Sequence, residues 1–316
     1  MSKVTAENGF ESISTSIEVD ELDTNLFRSR NLRLPFGARG VFGGQVISQA
    51  LFAATKSVES AFGLHSLHCY FLLSAAHDIP ILYYVERVRN GRSYVTRVVK
   101  AVQRGRAVFV MMCSFQKPEP LQPQFQWKMP SVPSPETCEL EEDRLRRRAA
   151  QSMHIPEAYR FLLHLAEERA RSPVYVRIAR AHEEMTDDGM VRYMYWMRAK
   201  DVPVACGAMY QKCVLGYMSD LHLLPVAWRT MGMERGERGP NTISMSSTLD
   251  HSIYYYSDNF DCGEWMLYVM TCPRTGSGRG VVHGQVYTRD GCLVAVLSQE
   301  GVVRAATREP DSKPKL

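Results

Sequence analysis

Residues 213–228 read CVLGYMSDLHLLPVAW. At helical spacing Val214, Tyr217, Met218 and Leu221 share one face while Leu215, Leu223 and Leu224 cover much of the rest. The spacing therefore predicts a helix over Cys213–Trp228 that is apolar nearly all round and belongs inside a domain. Its single acid, Asp220, lies between Tyr217 and Leu224, where an ionised carboxylate is costly unless partners hold it. Asp220 is the first candidate for chemistry, against the plainer alternative that it sits at the helix margin and reaches water.

The character of this stretch recurs. GVFGGQVISQALFAA (40–54) is similar to CVLGYMSDLHLLPVA (213–227), and HSLHCYF (65–71) to STLDHSI (247–253). Asp78–Cys113 can be laid without a gap on Glu264–Gln299, which matches the turn at Gly105 with that at Gly291. Internal similarity of this kind marks a duplicated unit. In the first copy Gln45–Ser57 reads as an Ala-rich helix flanked by glycines that permit close packing. Gly37, Gly40, Gly43 and Gly44 match neither the P-loop pattern nor the dinucleotide fingerprint, so tight packing explains them better than a phosphate cradle. Four short β-branched and aromatic runs follow, separated by turn signals at Asn90-Gly91 and Arg104-Gly105. A long helix followed by an antiparallel meander, twice, predicts an α+β chain with two antiparallel sheets, each wrapped around a buried helix.

Between the copies Pro118, Pro120, Pro123, Pro130, Pro133 and Pro135 favour extended backbone. Glu139–Ala170 is rich in Glu, Arg, Leu and Ala and reads as helical, with the run Arg144–Arg148 as a solvated face. Strand-like composition resumes at Tyr193–Lys200. The chain divides into residues 1–128, a linker and charged helix over 129–190, a second domain over 191–308 and a flexible tail over 309–316.

A length of 316 residues with 45% hydrophobic content suits two domains with a sizeable core. The net charge of +4 favours an anionic ligand but is far from the basic stripe of a nucleic-acid binder. Eight cysteines show no CxxC pair and no zinc spacing, and the N-terminal MSKVTAENGFESISTS has no apolar core of a secretory leader. No apolar run reaches membrane-spanning length. These features predict a soluble intracellular protein with reduced thiols and no metal.

Two residues of the second copy join Asp220. Thr248 lies in a strand-like stretch after the polar loop Gly232–Asn241, and Gln299 alternates with Ala295 and Leu297 on one face of its strand. An amide on an apolar face needs partners. Asp, Thr and Gln together supply an acceptor, a hydroxyl and an amide, which can hold and polarise one water. Taken singly, Thr248 is an ordinary strand residue and Gln299 a cap at a sheet edge; His65, His68 and His283 read as satisfied structural histidines. There is no GxSxG elbow and no HExxH helix.

Five segments in order, FGGQVISQAL (42–51), HSLHCYF (65–71), GYMSDLHLLP (216–225), TLDHS (248–252) and SQEGVVR (298–304), resemble the type II acyl-CoA thioesterases, and most closely their peroxisomal members. The resemblance spans nearly the whole chain apart from the two ends and the Pro-rich linker with its following helix. After HSLHCYF this chain departs from the family, reading Leu72–Asp78 where the family has an Arg and then Gly-Asp. The resemblance implies a double hotdog fold, hydrolysis of fatty acyl-CoA to fatty acid and CoA, and a catalytic set at Asp220, Thr248 and Gln299 with no cofactor. Asp220 would be the base and orienter of a water that Thr248 and Gln299 fix near the thioester carbonyl. Oxyanion donors would be backbone N–H groups near Gly43–Gly44 or Gly216, and the CoA phosphates would suit exposed arginines such as Arg87, Arg89, Arg92, Arg274 and Arg279.

Pro314-Lys315-Leu316 resembles the peroxisomal Ser-Lys-Leu signal and is expected to be read by an import receptor, with the peroxisomal matrix as the location and the cytoplasm as the alternative. Homo-oligomer formation is left open. Two other functions are consistent with the same fold: an enoyl-CoA hydratase or dehydratase using a carboxylate and a histidine such as Asp250-His251, and a non-catalytic acyl-CoA-binding protein.

Overall fold

The computed structural model describes residues 11–179, 184–186, 189–233 and 242–306. Residues 234–241 of the polar loop and the tail from 307, with Pro314-Lys315-Leu316, lie outside the described residues. The first half runs α1 (Ile13–Ile17), β1 (Val19–Asp23), β2 (Leu26–Ser29), α2 (Gly43–Thr55), β3 (Gly63–Phe71), β4 (Leu82–Asn90), β5 (Tyr94–Gln103) and β6 (Arg106–Gln116). Two helices follow, α3 (Glu141–Gln151) and α4 (Pro156–Arg171). The second half runs β7 (Val174–Ile178), β8 (Glu184–Met185), β9 (Val191–Ala199), α5 (Ala208–Ser219), α6 (Pro225–Thr230), β10 (Ile243–Tyr255), β11 (Met266–Gly276), β12 (Arg279–Tyr287) and β13 (Leu293–Ala305).

The fold is a mixed α+β double hotdog. The two antiparallel sheets are hydrogen-bonded edge to edge into one, in the order β1-β2-β4-β5-β6-β3-β10-β13-β12-β11-β9-β7, with β8 paired to β9. The seam is β3 against β10, where Tyr70 faces Asp250, Cys69 faces His251 and Ser66 faces Tyr254. The segments that look alike in the two copies thus pair with each other across the middle of the sheet. Strand alternation sets which side chains point inward: along β5, Val95, Val99 and Ala101 are buried and their neighbours less so. The tight turn at Arg104-Gly105, with φ of 50° and 72°, joins β5 to β6 and requires the left-handed conformation that Gly105 supplies without strain.

The two long helices lie antiparallel against each other, with Gly43 and Gly44 next to Asp220 and Tyr217 at one end and Phe52 against Tyr210 at the other. Val46, Ile47, Ala50 and Leu51 of α2 and Val214, Leu215, Tyr217 and Met218 of α5 are buried in one core cluster that spans both halves. Each large aliphatic side chain among them contributes about 1.5–3 kcal/mol relative to exposure. The approach is close because a Cβ on Gly44 would collide with the Tyr217 carbonyl oxygen, and one on Gly216 would lie 3.0 Å from Leu51.

Three sequence expectations change. The helix predicted over Cys213–Trp228 is two: α5 starts earlier, at Ala208, and ends at Ser219, and α6 restarts at Pro225 after a reversal in which His222 takes φ 62°. Pro225 inside one long helix would remove a hydrogen bond and clash with the preceding turn, whereas at the first position of α6 it costs nothing. The start of α2 at Gly43 therefore corresponds to the region of Ala208, not to Gly216. A shift of about two helical turns leaves an apolar pattern nearly unchanged, which is why composition alone misplaced it. Glu139–Ala170 likewise splits at Ser152–Ile155, since Pro156 begins α4 and Ile155 before it is extended. The exposed arginines of the charged run form surface pairs, Arg146 with Asp143 and Arg147 with Glu139.

The Pro-rich stretch straps the second half. The Gln126 side chain accepts from Leu293 N–H at 2.9 Å and donates to the Gly291 carbonyl at 2.7 Å, Trp196 Nε1 donates to the Pro133 carbonyl at 2.9 Å, and Met129 and Val132 pack on Trp196, Trp265 and Leu267. All eight cysteines are free thiols, five of them buried. No helix among the described residues is long and apolar enough to cross a membrane.

Gly44→Ala is expected to destabilise the protein by about 1–3 kcal/mol through overpacking of α2 on α5. Urea unfolding followed by circular dichroism measures it, and an unchanged midpoint would mean that the two helices have room to separate.

Candidate active site

Asp220 is the C-cap of α5. Because α2 runs antiparallel to α5, the end of α5 delivers the Asp220 carboxylate to the N-terminus of α2, where Gly44 N–H donates to Oδ2 at 2.9 Å. Gly43 has to be small as well, since a Cβ there would lie 2.7 Å from the same oxygen. The other carboxylate oxygen, Oδ1, accepts from Gln299 Nε2 at 2.9 Å. Gln299 Nε2 also donates to Thr248 Oγ1 at 2.7 Å. The structure thus brings all three sequence-predicted residues into one hydrogen-bonded cluster. Burial pushes the Asp220 carboxyl up to about 6, and the hydrogen bonds from Gln299 and Gly44 pull it back only in part.

Gln299 reaches the cluster by strand alternation. It is fully buried on the inner face of β13, with Leu297 two residues before it and Gly301 two after. Gly301 has no side chain because Leu224 fills the space its Cβ would take. Thr248 needs a different device. Residue 251 pairs with 299, and in regular alternation residue 248 would face the opposite side from residue 251. The register shifts between Thr248, which faces Gly301, and Asp250, which faces Glu300, so one extra residue is accommodated at Leu249. That bulge turns Thr248 onto the face of Gln299 and His251.

The remaining candidates divide clearly. Asp250 and His251 are neighbours on one strand and point to opposite faces; Asp250 accepts Glu300 N–H at 3.0 Å, while His251 is fully buried, pushed down by burial to about 4, with Nε2 3.0 Å from Ser219 Oγ. They do not form the carboxylate–histidine pair of a hydratase. His65 meets Ser114 Oγ at 2.8 Å and His68 meets Ser252 Oγ at 3.1 Å, so both are satisfied structurally, and His283 is exposed. Gly216 lies inside α5, where helical hydrogen bonds take the N–H groups, so it cannot serve as an oxyanion donor.

Among the arginines, Arg274 and Arg279 stand on the β11–β12 hairpin, where Arg279 faces Val302 and Gly280 faces Gly301, close to Gln299 along β13. Arg87, Arg89 and Arg92 stand on the β4–β5 hairpin, which Arg97 ties to Ser57 beyond the far end of α2, roughly 20 Å from Gly43 at 1.5 Å per residue. His251, which the sequence offers only to a rival hydratase chemistry, lies directly opposite Gln299 across β10 and β13. The register shift in β3 between Leu64 and Ser66 matches that in β10 between Thr248 and Asp250, so the first-half counterpart of the pair is Leu67 opposite Cys113, two residues away from the sequence match that laid Cys69 on His251; both are buried, and burial holds the Cys113 thiol far above its ordinary range. The duplication therefore carries one polar cluster of this composition.

Residues 32–116 match a family model described as the acyl-CoA thioesterase N-terminal domain, and residues 135–303 match one described as the acyl-CoA thioesterase C-terminal domain. The chain is 34% identical over 308 residues to acyl-coenzyme A thioesterase 8 of Rattus norvegicus, covering 95% of this chain and 91% of that one. It is 25% identical over 311 residues to peroxisomal acyl-coenzyme A thioester hydrolase 1 of Saccharomyces cerevisiae, covering 85% and 87%. Among solved structures it is similar to acyl-CoA thioesterase II TesB2 from Mycobacterium marinum, with a TM-score of 0.72 at 30% identity over 94% of this chain and 99% of that one.

In a carbon-13 NMR titration the Asp220 carboxyl should titrate near pH 6, above an ordinary aspartate. Since the Gln299 amide favours the ionised form, Gln299→Ala should move that midpoint higher still. A midpoint near 4 in the native protein would show that the site is solvated.

Proposed function

This chain belongs to the acyl-CoA thioesterase family and is an acyl-CoA thioester hydrolase, and we propose that it acts by direct attack of a water held at Asp220, Thr248 and Gln299. The observation that carries this reading is the single amide nitrogen of Gln299 donating to both Asp220 Oδ1 and Thr248 Oγ1. Both amide hydrogens are engaged in these bonds, so Gln299 organises the other two and the water is left to the Asp220 carboxylate and the Thr248 hydroxyl. With its carboxyl at about 6, Asp220 is ionised at neutral pH yet basic enough to take a proton from water.

The water oxygen bonds to the thioester carbonyl carbon as Asp220 takes its proton. The oxyanion so formed faces the N-terminus of α2, where Gly44 N–H is engaged by Asp220 and the neighbouring Gly43 N–H is the backbone donor that remains. Collapse breaks the carbon–sulfur bond, and the proton held by Asp220 returns to the leaving thiolate, giving a fatty acid and CoA. No acyl-enzyme and no cofactor are needed. Of the candidate arginines, Arg274 and Arg279 lie nearest along the sheet, on the face of Glu300 rather than that of Gln299, and Arg279 donates to Glu300 at 2.9 Å.

Asp220→Asn is expected to lower kcat by about 10²–10⁴-fold while leaving acyl-CoA binding much less affected. Release of thiol from palmitoyl-CoA measures it, and near-normal turnover in a folded variant removes Asp220 from the mechanism. Thr248→Ala and Gln299→Ala act on the same water, so their losses should not add to that of Asp220→Asn. Additive losses would mean that the three residues work apart.

The location we favour is the peroxisomal matrix. It is supported by the relative named as peroxisomal in Saccharomyces cerevisiae. A tagged protein is expected to co-localise with a peroxisomal matrix marker. A cytosolic distribution would leave the cytoplasm as the better reading.

A further inference from the structure

The proposed catalytic set leaves two buried polar atoms unexplained. Gln299 Oε1 and His251 Nδ1 meet no hydrogen-bond partner elsewhere among the described residues. They belong to residues directly opposed across β10 and β13, and both side chains are fully buried. An unmatched polar atom in such a place carries its desolvation cost uncompensated, so the two atoms should be matched to each other. We infer that His251, as its Nδ1–H tautomer, is the positioning residue that locks the Gln299 amide with its NH2 turned toward Asp220 and Thr248. This inference rests on the catalytic reading of Asp220, Thr248 and Gln299 given above.

The tautomer follows from the acceptors around it. The ionised Asp220 carboxylate can only accept, so the end of the amide that faces it must be the NH2. Oε1 is thereby turned toward His251 and needs a donor. His251 is held neutral by burial, which pushes it down to about 4, so it carries one N–H. If that hydrogen is on Nδ1, it donates to Oε1, and the bare Nε2 accepts from the Ser219 hydroxyl at 3.0 Å. With the hydrogen on Nε2, Ser219 would instead donate to the Gly216 carbonyl at 2.8 Å. A lone pair on Nδ1 would then oppose Oε1. The amide could relieve that only by rotating its oxygen toward the Asp220 carboxylate, which would break both donor contacts that organise the site. A chain of single hydrogens, from Ser219 through His251 and Gln299 to Asp220 and Thr248, thus has one self-consistent direction. Ser219 immediately precedes Asp220 and its carbonyl accepts from the Tyr268 hydroxyl at 2.7 Å, so the chain begins on the same rigid helix end that carries the base.

The first arm of the test is independent of activity. In protein labelled with nitrogen-15 histidine at neutral pH, His251 should show a protonated Nδ1 and an unprotonated Nε2, assigned by the signals missing in His251→Asn. A His251 protonated at Nε2, alone or with Nδ1, overturns the proposal. The second arm is kinetic. His251→Leu should lower kcat about 10- to 100-fold with KM little changed, because the amide that positions the base and the hydroxyl is freed. His251→Asn can place an amide donor near the position of Nδ1 and should recover most of that loss. Adding His251→Leu to Gln299→Ala should cost nothing further. Full activity of a folded His251→Leu protein, no recovery in His251→Asn, or additivity with Gln299→Ala each overturns the proposal. Should His251→Leu fail to fold, the wild-type tautomer decides. If Gln299→Ala itself keeps full activity, the catalytic reading fails, and the nitrogen-15 spectrum still judges the hydrogen-bond chain separately.

Discussion

The Asp220 carboxylate is held where two antiparallel helices meet, at the C-terminus of α5 and the N-terminus of α2. That contact joins the halves of the chain, since Gly44 comes from the first copy and Gln299 and Thr248 from the second. It exists only because Gly43 and Gly44 let α2 approach the end of α5. The arrangement works against stability. A carboxyl whose native value is raised to about 6 favours folding fully only below its unfolded value, near 3.9, and that contribution is lost as pH rises through about 6. At neutral pH the ionised group destabilises the fold by an amount on the order of 3 kcal/mol. The hydrophobic contacts of α2 and α5 offset that cost, and the fold keeps a carboxylate that is ionised but poorly solvated.

Much of this was legible in the sequence because it depends on periodicity. The apolar character of the stretch around Cys213–Trp228 placed it in the core, the glycines before Gln45 signalled close packing, and the ungapped match of Asp78–Cys113 with Glu264–Gln299 marked the duplicated meander. The single Asp in an apolar helix and the amide on an apolar strand face stood out because burial of such groups demands partners. What could not be read depends on register and on cross-strand neighbours. The bulge at Leu249 carries no Gly or Pro to announce it, yet without it Thr248 would face away from Gln299. The β3–β10 seam is a pairing between copies, which no local pattern encodes. The opposition of His251 and Gln299 follows from the same register, so a histidine that the sequence offered only to a rival hydratase chemistry turned out to lie against Gln299.

Duplication explains why one cluster is built and its twin is not. The sheet makes equivalent inner positions available twice, but Gln299 opposite His251 in the second half is Cys113 opposite Leu67 in the first. An apolar pair needs no hydrogen-bond partners, so the first half can pack its inner face tightly. The polar pair needs a connected network in which every member is satisfied. Concentrating that demand in one half limits its cost to one place, while the other half supplies the helix N-terminus that holds the Asp220 carboxylate.

The linker, which in sequence separates two domains, also bears on the site. Glu141, at the start of α3, lies 3.1 Å from His222 Nε2, and His222 is the left-handed residue that ends the turn after Asp220. Burial alone would raise the Glu141 carboxyl, but His222, Arg169 and Arg229 together hold it down at about 2. His222 also stacks on Tyr195 of β9, with ring centres 4.9 Å apart, and Arg229 of α6 donates to the Tyr195 hydroxyl. A non-glycine residue keeps a positive φ only where its surroundings over-determine it. Here Glu141 of α3 and Tyr195 of β9 hold His222 directly, and Arg229 of α6 holds Tyr195 in turn. The backbone that leaves α5 is therefore clamped two residues beyond Asp220, and the carboxylate can be aimed at Gly44 and Gln299 without a long helix to continue it. The charged helix after the prolines is in this sense part of what positions Asp220, although none of its residues touches the carboxylate it helps to aim.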